Sequence, residues 1–169
     1  MAIPPTRVPL RFQTLAVPVI VPGYRLLERR LWAAVQFTQI RGGWFLERCL
    51  VDTGAPLCVI PYEIHADPSN ALQWDKLNRG VPVTKYRGID CDLGRTRIWL
   101  PYPATLTRHG PLTLIAKFPR APLKLPDQAV ALLGLNFFDE NVAGVRFRYR
   151  RTGDRGWIDL VKELSGKRY

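Results

Sequence analysis

The chain has 169 residues, 47% of them hydrophobic, which suits one globular domain with its own core and excludes a disordered polypeptide. Lys and Arg outnumber Asp and Glu by 25 to 14, a net charge of +11 that implies solubility and attraction to acidic partners but specifies no fold. No apolar stretch approaches the roughly 18 residues a membrane span needs, and Cys49, Cys58 and Cys91 are too few and too irregularly spaced for a disulfide framework or a zinc site.

Residues 1–28 read as an extended N-terminal arm or leading strand; the first 25 residues carry five of the 15 prolines and no helical period. The start, MAIPPTRVPLRFQ, lacks a charged segment followed by an apolar one, so no signal peptide is expected. With cysteines read as reduced and structural, this points to a cytoplasmic setting.

A domain is expected over residues 29–163, with a tail over 164–169. Residues 31–38 are β-branched and aromatic and predict a strand, Arg41-Gly42-Gly43 a turn, and residues 44–51 the returning strand. Residues 57–60 predict a short buried strand stopped by Pro61. Trp74 and Leu77 stand at helical spacing within the polar stretch 62–80, which predicts a short helix there. Residues 81–86 and 95–100 predict two strands, with residues 87–94 as the hairpin tip between them. Residues 112–118 predict a strand, 119–126 a proline-rich loop, and 129–133 a buried strand ending at Gly134.

Val145, Phe147 and Tyr149 alternate with Arg146, Arg148 and Arg150, which predicts a strand with one apolar and one basic face. Thr152-Gly153-Asp154 predicts a turn, and residues 156–161 a returning strand. The whole reads as all-β with one or two short helices.

Asp52-Thr53-Gly54 lies between two apolar runs, Cys49-Leu50-Val51 and Leu57-Cys58-Val59-Ile60. A carboxylate between two buried strands is costly unless it has a task, and holding a water for attack is one. The segment LVDTGAPLCVI over residues 50–60 resembles the active-site segment of retropepsin-like aspartic proteases. Downstream, Ala131-Leu132-Leu133-Gly134 followed by Leu135-Asn136-Phe137-Phe138 is similar to that family's apolar-apolar-Gly strand and the short helix after it, with the best likeness to the bacterial branch.

The resemblance implies a closed, barrel-like β half of a dimeric acid protease, in which two carboxylates share one proton across a water because like charges so close cannot both ionise. Asp90, Asp92, Asp139, Asp154 and Asp159 all lack a following Thr/Ser-Gly. The resemblance therefore implies a homodimer, with Asp52 and its symmetry mate at the centre acting on an extended peptide or protein substrate. Thr53 would brace the two loops and Gly54 would allow close backbone approach. Ala55 would line the cleft. Leu132 and Leu133 would pack under the loop, Gly134 would permit its close crossing, and Asn136 would start the helix. Gly88 and Ile89 are either an ordinary hairpin turn or the tip of a flap closing over substrate. No metal and no organic cofactor are expected.

Two positions depart from the retroviral branch. Pro56 stands where an acidic residue usually follows Asp-Thr-Gly-Ala, and Leu135 stands where an Arg follows the second-motif Gly. Both members of a pair are absent together, which leaves no buried charge unpartnered but alters the substrate grip and part of the dimer interface. Asp90 and Asp92 read as solvated turn residues.

Two rival functions remain. One is a retropepsin-like module without proteolytic activity, serving as a dimeric binding domain. The other is a basic nucleic-acid-binding β-domain. The basic residues are spread along the chain without an aromatic platform interleaved with a tight cluster, so nucleic acid is not the expected partner. His65 and His109 read as surface-loop residues, with no motif to make either the partner of a nucleophilic cysteine.

Overall fold

The computed structural model describes residues 6–16, 27–69, 71–81, 84–102, 107–123, 129–141, 144–149 and 155–161. Eleven strands and two short helices account for most of them. They run β1 (Thr6–Ala16), β2 (Leu27–Thr38), β3 (Trp44–Val51), β4 (Cys58–Val59), α1 (Tyr62–His65), β5 (Trp74–Lys76), β6 (Thr84–Tyr86), β7 (Ile89–Tyr102), β8 (Thr107–Pro119), β9 (Ala131–Leu133), α2 (Leu135–Asn141), β10 (Gly144–Tyr149) and β11 (Arg155–Val161).

The strands form one sheet in the order β10-β11-β1-β2-β3-β9-β4-β8-β7-β5, with β6 on β7. A further pairing, Gln36↔Trp99 and Phe37↔Ile98, joins β2 to β7. That contact closes β2, β3, β9, β4, β8 and β7 into a ring. β2 manages this by dividing one edge between two neighbours. Residues 27–33 pair with β1, and residues 36–37 pair with β7.

The core fills the ring. Val35, Phe37, Cys49, Ile60, Ile98 and Leu114 are fully enclosed, with Phe118 and Leu133 nearly so. Period-two alternation sends these side chains inward and their neighbours out. Each fully buried side chain of this size contributes about 2 kcal/mol of hydrophobic stabilisation.

Several expectations change. Trp74 begins a strand, not a helix. It pairs with Thr96 across β5–β7 and stacks on Phe118 with ring centroids 4.1 Å apart, so packing across the sheet decides its conformation. The helix of this region is α1, directly after Pro61, whose fixed φ suits a helix start. The hairpin tip is only Arg87-Gly88, because residues 89–94 belong to the long strand β7. His65 lies half-buried at the end of α1, its Nε2 2.9 Å from the Pro119 carbonyl oxygen, and His109 lies within β8. The alternation over residues 144–149 falls on a strand, but its side chains and the turn expected at 152–154 lie outside the described residues.

Candidate active site

β3 ends at Val51 and β4 begins at Cys58, so six residues join them. Yet β9 lies between the two strands. It runs parallel to β3 through Leu50↔Leu132 and Val51↔Leu133, and antiparallel to β4 through Val59↔Leu132. The linking loop must therefore pass over the end of β9, and Asp52 is its first residue.

Gly134 makes that passage possible. A Cβ added there would lie 2.6 Å from the Ala55 carbonyl oxygen and 2.7 Å from the Leu57 carbonyl carbon, both backbone atoms that no rotamer change can move. Backbone hydrogen bonds fix the crossing on both sides. The Asp52 N–H donates to Leu133 O at 3.0 Å, the Leu135 N–H to Ala55 O at 2.8 Å, and the Asn136 N–H to Pro56 O at 3.3 Å.

The Asn136 side chain then ties three elements together. Its Oδ1 accepts the Cys58 N–H at 2.8 Å, and its Nδ2 donates to the Ile115 carbonyl at 2.7 Å. The Gly134 N–H donates to Cys58 Sγ at 3.2 Å. Six of the expected site residues, Asp52, Ala55, Leu132, Leu133, Gly134 and Asn136, thus meet in one hydrogen-bonded crossing. Asn136 does more than begin α2, since its amide spans from β4 to β8.

The Asp52 side chain is half-buried, and its Oδ1 accepts the Gly54 N–H at 2.9 Å. Among the described residues no cation pairs with it. A Cβ on Gly54 would stand 3.2 Å from Asp52 Oδ1 and crowd the carboxylate. Thr53, Gly54 and Pro56 are exposed, and Leu135 beside them is 44% exposed. The loop is therefore framed by an uncharged, outward-facing rim.

Gly88 and Ile89 stand on the separate β6–β7 hairpin. Arg87 (φ 49°) and Gly88 (φ 81°) are both left-handed, the geometry of a two-residue turn matched to strand twist. No hydrogen bond among the described residues joins Gly88 or Ile89 to the Asp52 loop.

At the base of this hairpin lies a cluster with no signature in the sequence. Asp92 is buried, 8% exposed, and not the solvated turn residue expected. Its Oδ1 receives Arg120 Nη2 at 2.6 Å, Lys76 Nζ at 2.9 Å and Asn78 Nδ2 at 3.0 Å. Burial alone would push the Asp92 carboxyl up, but hydrogen bonds from Arg120, Asn78 and Lys76 outweigh it and hold it well below the usual carboxylate range. Arg120 also donates to the Gly80 carbonyl at 2.8 Å, and Asn78 Oδ1 accepts the Leu93 N–H at 2.8 Å. Asp90, by contrast, is exposed and lies 3.8 Å from Lys85 Nζ, though in a strand and not in a turn.

The cysteines are free and buried. Burial pushes the Cys58 thiol up to about 12, against the opposing pull of the Gly134 N–H, and raises Cys49 and Cys91 as well. The thiolate that a cysteine nucleophile needs is thereby suppressed at all three. Burial also pushes the His65 imidazole down, against the Pro119 carbonyl that holds it. No group of three or more potential metal ligands occurs among the described residues, and no helix among them is long and apolar enough to cross a membrane.

No protein-family model, curated protein or solved structure matches the chain.

Proposed function

We propose that this chain is one half of a homodimeric aspartic endopeptidase of retropepsin-like fold. The observation that carries the reading is the Asp52 carboxylate itself. It is half-buried, oriented by a single backbone N–H and free of any cation among the described residues, on a loop that backbone bonds hold from both sides. A structural aspartate would be expected to engage its lone pairs with internal donors, as Asp92 does. Six strands closing into a ring, with the loop passing over β9 at Gly134, also suit a fold that delivers a rigid carboxylate to its surface.

A single carboxylate cannot serve as both acid and base at once, so a second must come from another copy. The exposed rim of Thr53, Gly54, Pro56 and Leu135 would meet its own copy about a twofold axis. One Asp52 carboxylate then takes a proton from the bound water while the water oxygen adds to the scissile carbonyl carbon. The partner carboxyl, protonated, gives its hydrogen to the carbonyl oxygen. Proton return to the amide nitrogen breaks the C–N bond and releases a carboxylic acid and an amine. Ala55 lines the floor of the cleft, and the hairpin at Gly88 and Ile89 covers an extended peptide whose main chain pairs as an added strand.

A second reading is a dimeric binding module without proteolysis. The specific observation in its favour is that Pro56 and Leu135 give the rim an uncharged surface in place of an acid/Arg grip.

Peptide-library cleavage by wild type and Asp52→Asn across acidic to neutral pH, with dimer state recorded by sedimentation, tests the choice. Endopeptidase function predicts cleavage that disappears in Asp52→Asn while the dimer persists. A wild-type dimer that cuts nothing supports the binding module. Equal cleavage by both proteins contradicts any role for Asp52.

A further inference from the structure

The linear sequence scatters its basic residues, but the fold gathers several of them with tryptophans on one outward sheet face. In the ladders, Leu46 faces Gln36 and Gln36 faces Trp99, while Trp44 faces Thr38 and Arg97 faces Thr113. Directly paired residues share a face, so these side chains stand on the outer face of the β3–β2–β7–β8 part of the ring, where Gln36 itself is buried. Trp44 is 61% exposed and Leu46 56% exposed, large apolar surface for a position with no covering element among the described residues.

Beside Trp44 the face sinks into a hollow of about 440 Å³, lined chiefly by Thr38, Gln73, Asp75, Arg95, Arg97 and Trp99. Its charge is predominantly positive. Arg95 meets the largely exposed Asp75 only at 3.4 Å, and Arg97 is exposed with no ion pair among the described residues. Arg108 lies over the Trp99 ring, 5.2 Å from its centroid.

Trp99 stands opposite a break in strand register. The β7–β8 ladder slips between Ile98 and Leu100. Gly110, with φ +146°, occupies the slip so tightly that an added Cβ would stand 2.8 Å from Ile98 O and 2.9 Å from Trp99 Cδ1. The Trp99 indole thus stands at the end of a basic hollow, with a second indole, Trp44, two strands away across β2. β3 runs from Trp44 to Val51, so Leu46 lies six residues, about 20 Å, from Asp52. The face is thus separate from the candidate active site.

We propose that this face binds single-stranded nucleic acid. Flat indoles offer stacking surface that any base can use, and guanidinium groups beside them match phosphate oxygens bidentately. Thr38, Gln73 and Thr113 add neutral hydrogen-bonding groups at the rim. The cations here are arginines, which suits phosphate over the diffuse attraction of an acidic surface patch. The +11 net charge supplies long-range attraction to a polyanion.

Fluorescence anisotropy with a labelled oligouridylate of about 20 nucleotides tests the proposal, over a range of salt concentrations. Wild type should bind saturably, with a log–log salt slope of about −2, as expected for roughly three arginine–phosphate contacts on a single strand. Arg97→Glu should weaken binding about tenfold or more, while Lys85→Glu, the same charge change on the distant hairpin, should weaken it far less. Trp44→Ala should lose about fivefold with little change in salt slope. Polyglutamate should fail to displace the oligonucleotide at equal charge concentration. The proposal is overturned by absence of saturable binding, by equal losses in Arg97→Glu and Lys85→Glu, or by displacement with polyglutamate. The last result would assign the face to acidic polypeptides.

Discussion

The loop at Asp52 and the hairpin at Gly88 both turn on glycine, yet the two regions are built in opposite ways. At Asp52 the chain is enclosed. Gly134 is needed because backbone atoms lie where its side chain would be, and hydrogen bonds reach the loop from β9, from α2 and through Asn136 from β8. At Gly88 the glycine is needed only for its left-handed φ of 81°, and nothing stands within 4 Å of where a Cβ would go. The first region fixes a carboxylate, the second leaves a tip in open space. Asp92 anchors the hairpin at its base through Arg120, Lys76 and Asn78. A held carboxylate and an open hairpin tip would suit the division of labour proposed above, in which a cleft closes over substrate.

Substitutions at the two ends of this contrast should differ sharply. Gly134→Ala should cost about 3 kcal/mol or more, because rigid main chain blocks the new methyl group, and denaturant unfolding would register the loss. A cost near zero would mean that the crossing can open and that Asp52 is not held. Asn136→Ala should cost about 2 kcal/mol by leaving the Cys58 N–H and the Ile115 carbonyl without their partner.

The anchor should fall between the extremes and should respond to acid. Asp92→Asn should cost about 1.5 kcal/mol, since Arg120 keeps partial access to water. The Asp92 carboxyl binds its proton more weakly in the folded chain than in the unfolded one. Its contribution is therefore complete above the ordinary carboxylate range and is lost as pH falls below about 4. His65 is also lowered in the folded state, so the unfolded chain takes up that proton first and stability begins to decline below about pH 6.5. Stability measured against pH should show both declines. His65→Gln should remove the upper one and Asp92→Asn the lower.

Gly88→Ala should have the smallest effect, roughly 1 kcal/mol from the left-handed backbone alone. If the hairpin covers substrate, the same change should also alter KM and kcat together. A large loss of stability would instead show that the tip is packed like the crossing.

The two regions were also unequally legible in the sequence. Asp52, Gly54, Gly134 and Asn136 are close to their neighbours in motifs, and the apolar runs beside them predict the strands that deliver them. The turn at Gly42 and the strand at residues 44–51 follow from local chemistry in the same way. What escaped is set by partners distant in sequence. Asp92 meets Arg120 from 28 positions away, and nothing local distinguishes it from a solvated aspartate. Trp74 takes strand geometry because Thr96 and Phe118 demand it, overriding a spacing that also fits a helix. Trp44, Trp99 and Arg97 share a face only because β2 pairs with both β3 and β7.

The most direct test of the proposed shared-carboxylate site mixes wild-type and Asp52→Asn subunits under conditions that allow exchange. If each site needs an Asp52 from both copies, an equimolar mixture should cleave peptide at about half the rate of the same wild-type quantity alone, because mixed dimers are inactive. An unchanged rate after demonstrated exchange would mean that one chain carries a complete site, which contradicts a carboxylate pair shared between two copies.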